Sequence, residues 1–228
     1  MRSENISFII LSAGEGRRTK SFGNRSLLEV SRGVNIAQYQ IEKIRDSYPK
    51  SEIIFVVGYE ADRLIKVLPP GIKIVENELF STTNVVRSIN IGLRVINESA
   101  AVIIHGDILF NRECISKIHK QASCVLADAD NQLDQSKIGV NAIGDKVIGF
   151  TFSAQPKWAQ ISLLRGPELE IAREITAKRE NDLLLSHELY GKILDLGGSF
   201  TLVNSNNSKI REINTIKDLK YAREYLDD

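Results

Sequence analysis

The sequence predicts a three-layer α/β/α domain on a mainly parallel, mixed sheet. Three observations carry that prediction. Short β-branched apolar runs alternate with amphipathic helical stretches over roughly the first 130 residues, the rhythm of right-handed βαβ crossovers. The leading runs are apolar on both faces, as strands covered by helices on each side must be. Several end on a glycine, and loops at the carboxyl ends of such strands are where α/β folds bind ligands.

Each element follows in order. Residues 6–11 form a buried strand that stops at a glycine-rich turn. Residues 34–48 follow as a helix, with Ile36, Ala37, Ile41 and Ile44 at helical spacing and Pro49 just past its end. Residues 52–57 are a second strand stopped by Gly58, and residues 61–68 a short helix closed by Pro69-Pro70-Gly71. After a brief strand at 72–75, Thr82 or Thr83 caps a helix that runs to residues 93–96. Residues 101–105 are a strand landing on Gly106-Asp107, followed by a helix over about 112–121 and a strand at 123–127. The remainder is less regular. Residues 137–141 and 146–152 make a hairpin across Gly144-Asp145. Residues 158–164, 201–203 and 210–213 are strands, and 167–176 and 182–194 are helices. A last helix over 216–226, opened by Asn214-Thr215, carries Leu219, Ala222 and Leu226 as structural cover. The expectation is one domain over residues 1–228 whose later part folds over the mouth of the sheet.

Composition narrows the partners. Thirty basic against twenty-nine acidic residues give a net charge of +1, so no bulk field favours nucleic acid or an anionic membrane. The apolar run at 6–11 is too short to span a bilayer, and Glu4 before it argues against a secretory signal. Cys114 and Cys124 have neither metal-ligand spacing nor a disulfide framework, which suits a reducing cytoplasm.

The segment with the most chemistry is Leu11-Ser12-Ala13-Gly14-Glu15-Gly16-Arg17-Arg18, directly after the first strand. Two glycines one residue apart let the backbone turn its N–H groups toward an anion, and the arginines add charge with bidentate reach. A phosphate cradle is one reading, and an ordinary strand-end turn fits a lone Gly-x-Gly equally well. It is not a dinucleotide fingerprint, because Thr19 occupies the third glycine position, and no Gly-Lys-Ser/Thr follows at P-loop spacing.

The loop and the following Asn24-Arg25-Ser26-Leu27-Leu28-Glu29-Val30 resemble the opening motifs of the nucleotidyltransferase superfamily, the GT-A-like and MobA-like NTP transferases. The resemblance continues in order through Phe55-Val56-Val57-Gly58-Tyr59, Thr83-Asn84-Val85-Val86-Arg87-Ser88, a strand ending at Asp107, and Glu212-Ile213-Asn214-Thr215-Ile216-Lys217-Asp218-Leu219. The branch most similar is that of small CTP:phosphocholine-type and sugar-phosphate cytidylyltransferases. What the resemblance implies is a GT-A-like fold with a nucleotide-binding half over about 1–130 and an acceptor-binding half over about 131–228. It implies transfer of a nucleoside monophosphate, with CTP the favoured donor, to a small phosphorylated acceptor with release of pyrophosphate. On this reading residues 11–18 lie along the triphosphate, Arg18 holds its β and γ groups, and Arg25 reaches the α-phosphate. Asp107 with Glu212 and Asn214 would hold Mg²⁺, and Asn84 and Ser88 would contact nucleoside or acceptor. A homodimer is allowed, and no appended acyltransferase or β-helix domain is expected in 228 residues.

Two positions depart from the family pattern. The family's α-phosphate lysine falls at Arg25, a planar fork rather than a compact ammonium, with Lys20 a nearby substitute. The family's metal-binding aspartate falls at Asn214, which offers only a neutral carbonyl oxygen. These changes keep open a catalytically weak or regulatory nucleotide-binding homologue. Asp128-Ala129-Asp130 mimics the Asp-x-Asp of nucleotide-sugar glycosyltransferases, but its polar continuation predicts a solvated loop. Among the histidines, His105 is expected to be satisfied by backbone at a strand end, His119 to lie on a surface helix, and His187 to be a candidate facing the acceptor. Trp158 is read equally as core packing or as a ring meeting a base or cationic head group. Leu183, Leu184 and Leu185 stand where the phosphocholine branch carries aromatics, which weakens choline phosphate as the acceptor.

Overall fold

The computed structural model describes residues 6–16, 23–118, 122–128, 137–205 and 209–226. The first half builds a parallel ladder. Strand β1 (Ser7–Ser12) lies between β4 (Ile53–Val57) and β6 (Ala100–His105), with β5 (Lys73–Glu76) beyond β4. Helices α1 (Ile36–Ser47), α2 (Ala61–Val67) and α3 (Val85–Leu93) make the crossovers. Asn35 starts α1 as a capping box, its Oδ1 accepting from the Gln38 N–H at 2.9 Å while Gln38 Oε1 accepts from the Asn35 N–H at 3.1 Å.

Side chains of alternate residues along β1 explain the three layers. Phe8 and Ile10 face one side, where Ala37, Ile41 and Ile44 of α1, Leu64 of α2 and Cys114 and Ile115 of α4 (Arg112–Ser116) cover them. Ile9 and Leu11 face the other, against Val86, Ile89 and Leu93 of α3 and residues of α5 (Gly166–Thr176) and α6 (Ser186–Asp195). Each fully buried isoleucine in these layers contributes about 1.5–3 kcal/mol relative to exposure.

The later half extends the same sheet rather than only folding over its mouth. β11 (Lys157–Arg165) runs antiparallel between β6 and β8 (Cys124–Asp128), and β12 (Thr201–Asn204) runs parallel to β8. The hairpin of β9 (Ile138–Ile143) and β10 (Lys146–Phe152) closes the nine-stranded order β5-β4-β1-β6-β11-β8-β12-β10-β9. Two small sheets complete the fold, β2 (Glu29–Ser31) with β3 (Val34–Asn35), and β7 (Ile108–Phe110) with β13 (Ile210–Glu212). Strand β13 is the one expected over 210–213, whereas β2, β3 and β7 escape the sequence pattern because they are two or three residues long. Helix α7 (Ile216–Leu226) packs Leu219 and Ala222 with Val30, Ile36 and Ile213, the structural cover its periodicity predicts.

Four boundaries differ from expectation. Helix α1 starts at Ile36 rather than residue 34, because Val34–Asn35 pairs as β3 with β2. Asn84, not Thr82 or Thr83, caps α3, because Thr83 Oγ1 instead donates back to the Leu79 carbonyl at 2.7 Å. Helix α4 ends at Ser116, and His119 lies outside the described residues. Helix α6 starts at Ser186 rather than Asp182. The intervening stretch bridges to α3 instead, with the Asp182 carbonyl accepting from the Asn84 N–H at 2.7 Å.

Candidate active site

A cleft of about 340 Å³ opens where β1 and β6 end. One wall is the stretch after β1, where Ser12, Ala13, Gly14 and Gly16 line the cavity along with Leu11. Glu15 is half-buried and is not among the lining residues. Arg17, Arg18 and Lys20, read from sequence as phosphate ligands or their substitute, lie outside the described residues.

A buried polar network ties this stretch to the end of β6. Ser12 Oγ donates within 2.9 Å of Asn24 Oδ1 and lies 2.6 Å from Ser26 Oγ. Asn24 Nδ2 in turn donates to the carbonyls of Ser12 and Tyr59, at 2.8 and 3.0 Å. Ser26 Oγ donates to the Gly106 carbonyl at 2.7 Å. A side chain at Gly106 would meet the Leu11 carbonyl at 2.8 Å, and one at Gly58 would meet the Ala13 carbonyl at the same distance. Only glycine lets these strand ends approach so closely. Gln40 locks the turn from below. Fully buried on α1, it donates to the carbonyls of His105 and Ile108, at 2.9 and 2.7 Å, on either side of Gly106-Asp107.

The two positions that depart from the family pattern meet each other. Arg25 Nη1 lies 2.8 Å from Asp107 Oδ2 and donates to Asn214 Oδ1 at 2.8 Å. Asp107 is buried, and its Oδ1 has no hydrogen-bond partner among the described residues. Beside Asn214, Glu212 Oε2 receives Lys137 Nζ at 2.8 Å and Lys157 Nζ at 3.1 Å. Burial alone would raise the Glu212 pKa, but the two ammonium groups and the Asn214 amide outweigh it and hold the carboxyl well below its usual range. Burial pushes His105 below its ordinary value despite the nearby Asp107 and Glu212, and its Nε2 lies 2.9 Å from Ser186 Oγ. Its ring nitrogen thus meets a side-chain hydroxyl rather than the backbone expected from sequence.

Asn84 and Ser88 line the cleft from α3, and Asn77 Nδ2 donates to Ser88 Oγ at 3.1 Å. Trp158 takes up its core-packing role. Its ring packs against Phe150 and Tyr190, with centroids 5.2 and 5.1 Å apart, yet it lines the cleft and its buried Nε1 has no partner among the described residues. His187 also lines the cleft, edge-on to Phe152 at 5.9 Å. Asp128 departs from expectation: it is buried at the end of β8 rather than solvated and is not among the lining residues, while Asp130 lies outside the described ones.

Sequence reasoning missed Lys137, Lys157, Gln40 and Gln160. Gln40 carried a signal, since it sits four residues from both Ile36 and Ile44 on the apolar stripe of α1. Gln160 lines the cleft with φ of 57° where the β11–β8 register shifts. Nothing local marks the two lysines.

The arrangement suits a polyanion with a hard cation. Among the described residues no cluster of three or more His, Cys, Asp or Glu could hold a metal unaided. The two carboxylates that line the cleft, Asp107 with its orphan Oδ1 and Glu212, nevertheless fit Mg²⁺, which is commonly bound through one or two carboxylates plus substrate phosphates. Among the described residues no helix is long and apolar enough to cross a membrane.

Comparison with known proteins gives the family and supports the fold. The family model of the MobA-like NTP transferase domain matches residues 8–164. The bifunctional protein GlmU of Leifsonia xyli subsp. xyli is 27% identical over 112 residues, which is 47% of this chain and only 23% of that protein. The inositol-1-phosphate CTP transferase from T. maritima superposes with a TM-score of 0.81 at 14% identity, over 100% of this chain and 97% of that one. CTP:phosphocholine cytidylyltransferase from Streptococcus pneumoniae gives 0.77 at 17% identity, over 97% and 99%. At such identities these two structures speak for a shared nucleotidyltransferase fold.

Proposed function

The chain belongs to the family of MobA-like NTP transferase domains, and from that premise we propose that it is a Mg²⁺-dependent cytidylyltransferase acting on a small phosphorylated acceptor. The observation that carries the proposal is the knitting of the Ser12–Gly16 stretch to Asp107 through Asn24, Ser26 and Gly106, with Arg25 beside it. That places a glycine-containing turn, a guanidinium and a carboxylate at one cleft, the groups that phosphoryl-type transfer needs for positioning and charge neutralisation.

In the proposed reaction a phosphate oxygen of the acceptor forms a bond to the α-phosphorus of the nucleoside triphosphate. The bond between that phosphorus and the α–β bridging oxygen breaks, and the electron pair leaves with pyrophosphate. Backbone N–H groups of residues 12–16 and the arginines that follow them bind the triphosphate, and Arg25 turns from Asp107 toward the α-phosphate. Asn84 and Ser88 contact the nucleoside or acceptor, and Trp158 and His187 border the acceptor. Mg²⁺, held by Asp107 and Glu212 with the Asn214 carbonyl oxygen, would neutralise phosphate charge when bound. CTP is favoured because the chain is similar over nearly its whole length to two structures whose names specify CTP. A cytoplasmic location accords with two free, buried thiols.

One observation favours a second reading. Asn214 is neutral and accepts from Arg25, which accords with a nucleotide-binding protein that turns over slowly or not at all. A pyrophosphate-release screen separates the two. It would present the four NTPs, with and without Mg²⁺, with sugar 1-phosphates, polyol phosphates, phosphonates and amino-alcohol phosphates. Release that depends on one NTP and one acceptor supports the enzyme. Release only in Asn214→Asp makes the natural chain a binder, and no NTP binding at millimolar concentration refutes both.

A further inference from the structure

Lys137 and Lys157 have no role in the reading above, yet they make the densest concentration of charge in the cleft. Their ammonium groups converge on a single oxygen, Glu212 Oε2, at 2.8 and 3.1 Å. They come from different strands, Lys137 just before β9 and Lys157 at the start of β11, so the tertiary fold alone brings them together. One lysine would neutralise Glu212, and the second adds like-charge repulsion that the carboxylate does not require. Counting described ionic side chains that line the cleft, Arg25, Lys137 and Lys157 outnumber Asp107 and Glu212.

We propose that Lys137 and Lys157 form the seat for the acceptor's phosphate, with Glu212 holding that seat in the free protein. The proposal rests on the nucleotidyltransferase reading for the word acceptor, but the phosphate seat is testable without it. A carboxylate oxygen between two ammonium groups occupies the place that a phosphate oxygen takes when a phosphomonoester enters, and the dianion matches both lysines where Glu212 matches one. The seat also adjoins the groups assigned to the α-phosphate. The Asn214 side chain hydrogen-bonds Glu212, and Asn214 Oδ1 accepts from Arg25, so the acceptor phosphate arrives one side chain away from the guanidinium.

The same inventory defines the rest of the acceptor. Both carboxylates that line the cleft among the described residues are already committed to basic side chains, and Trp158, Gln160, Ser186 and His187 around the seat include no further anion. A cationic remainder finds no counter-ion there. The ligand class is therefore a phosphomonoester whose remainder carries no positive charge.

Metal-free titration of the full chain by ³¹P NMR tests this, with inorganic phosphate, glycerol 3-phosphate and phosphocholine as probes. Glycerol 3-phosphate should bind more tightly than phosphocholine. The double variant K137M/K157M should lose at least tenfold in glycerol 3-phosphate affinity while CTP affinity changes less than twofold. Glu212→Gln should tighten phosphate binding severalfold, a direction that damage to the fold does not produce. Unchanged binding in the lysine variant, weaker binding in Glu212→Gln, phosphocholine binding as well as glycerol 3-phosphate, or no phosphate binding by the parent protein would each overturn the proposal. Phosphate binding as predicted together with no NTP binding would instead refute the nucleotidyltransferase reading and leave the seat standing.

Discussion

Gln40→Leu isolates how the fold positions Asp107. Leucine keeps the volume and the apolar contacts of α1 but removes the amide that donates to the His105 and Ile108 carbonyls. Leaving a buried acceptor unsatisfied costs about 1–3 kcal/mol each. Against this, Gln40 Oε1 has no partner among the described residues, so its removal returns part of the loss. The net destabilisation is about 1–4 kcal/mol, and at this chain length each kcal/mol lowers the melting temperature by about 2–4 °C. The larger effect should fall on turnover. The two carbonyls bracket Gly106-Asp107, and displacement of a catalytic group by about 1 Å costs on the order of 100-fold. Calorimetry reads the first quantity, and pyrophosphate release well below the variant's own melting temperature reads the second. A variant that melts lower but turns over like the parent would refute the positioning role and leave Gln40 as a packing residue. No change in either would refute the hydrogen-bond argument itself.

Other perturbations probe neighbouring links. Arg25→Lys keeps the charge but replaces the planar guanidinium, whose Nη1 touches both Asp107 and Asn214, with a compact ammonium, so kcat should fall about tenfold with melting nearly unchanged, as steady-state kinetics and calorimetry would show. Gly106→Ala forces a methyl against the Leu11 carbonyl and Ser26 Oγ and should cost about 1–3 kcal/mol in denaturant titration. The pH dependence of melting tests His105. Its folded pKa lies below its ordinary 6.5, so the unfolded chain binds the proton first and stability falls as pH drops from about 6.5 toward the folded value. His105→Gln should flatten the melting temperature over that window, which lies above the acid range where Glu212, with its lowered pKa, loses its contribution.

Legibility in the sequence followed the range of the interactions. The parallel ladder β5-β4-β1-β6 was readable because β4, β1 and β6 are apolar on both faces and its crossovers are short. The placement of β11 between β6 and β8 was not, since antiparallel insertion leaves no mark on the apolar pattern of residues 157–165. In the site, Ser12, Gly14 and Gly16 stood out by type and spacing, and Arg25, Asp107 and Glu212 only through the resemblance to the nucleotidyltransferases; the fold brings all six to one cleft. Lys137 and Lys157 did not, because a lone lysine at a strand end ordinarily points to water and only tertiary structure turns two of them onto Glu212. The contact between Arg25 and Asn214 was hidden for the same reason. Each looked like an isolated substitution, and together they form one hydrogen bond. Helix α6 started late because Asp182 is committed through its backbone to Asn84, a partner almost a hundred residues distant in sequence that no local pattern reveals.

The central claim is that the turn after β1 and Asp107 act on one triphosphate. A crystal grown with CTP and Mg²⁺ tests it most directly. The account predicts phosphate density in contact with backbone N–H groups of residues 12–16, Arg25 turned onto it, and a metal ion on Asp107 Oδ1. Nucleotide bound elsewhere, or bound in the cleft with Arg25 still paired to Asp107 and no ion at Oδ1, would contradict it.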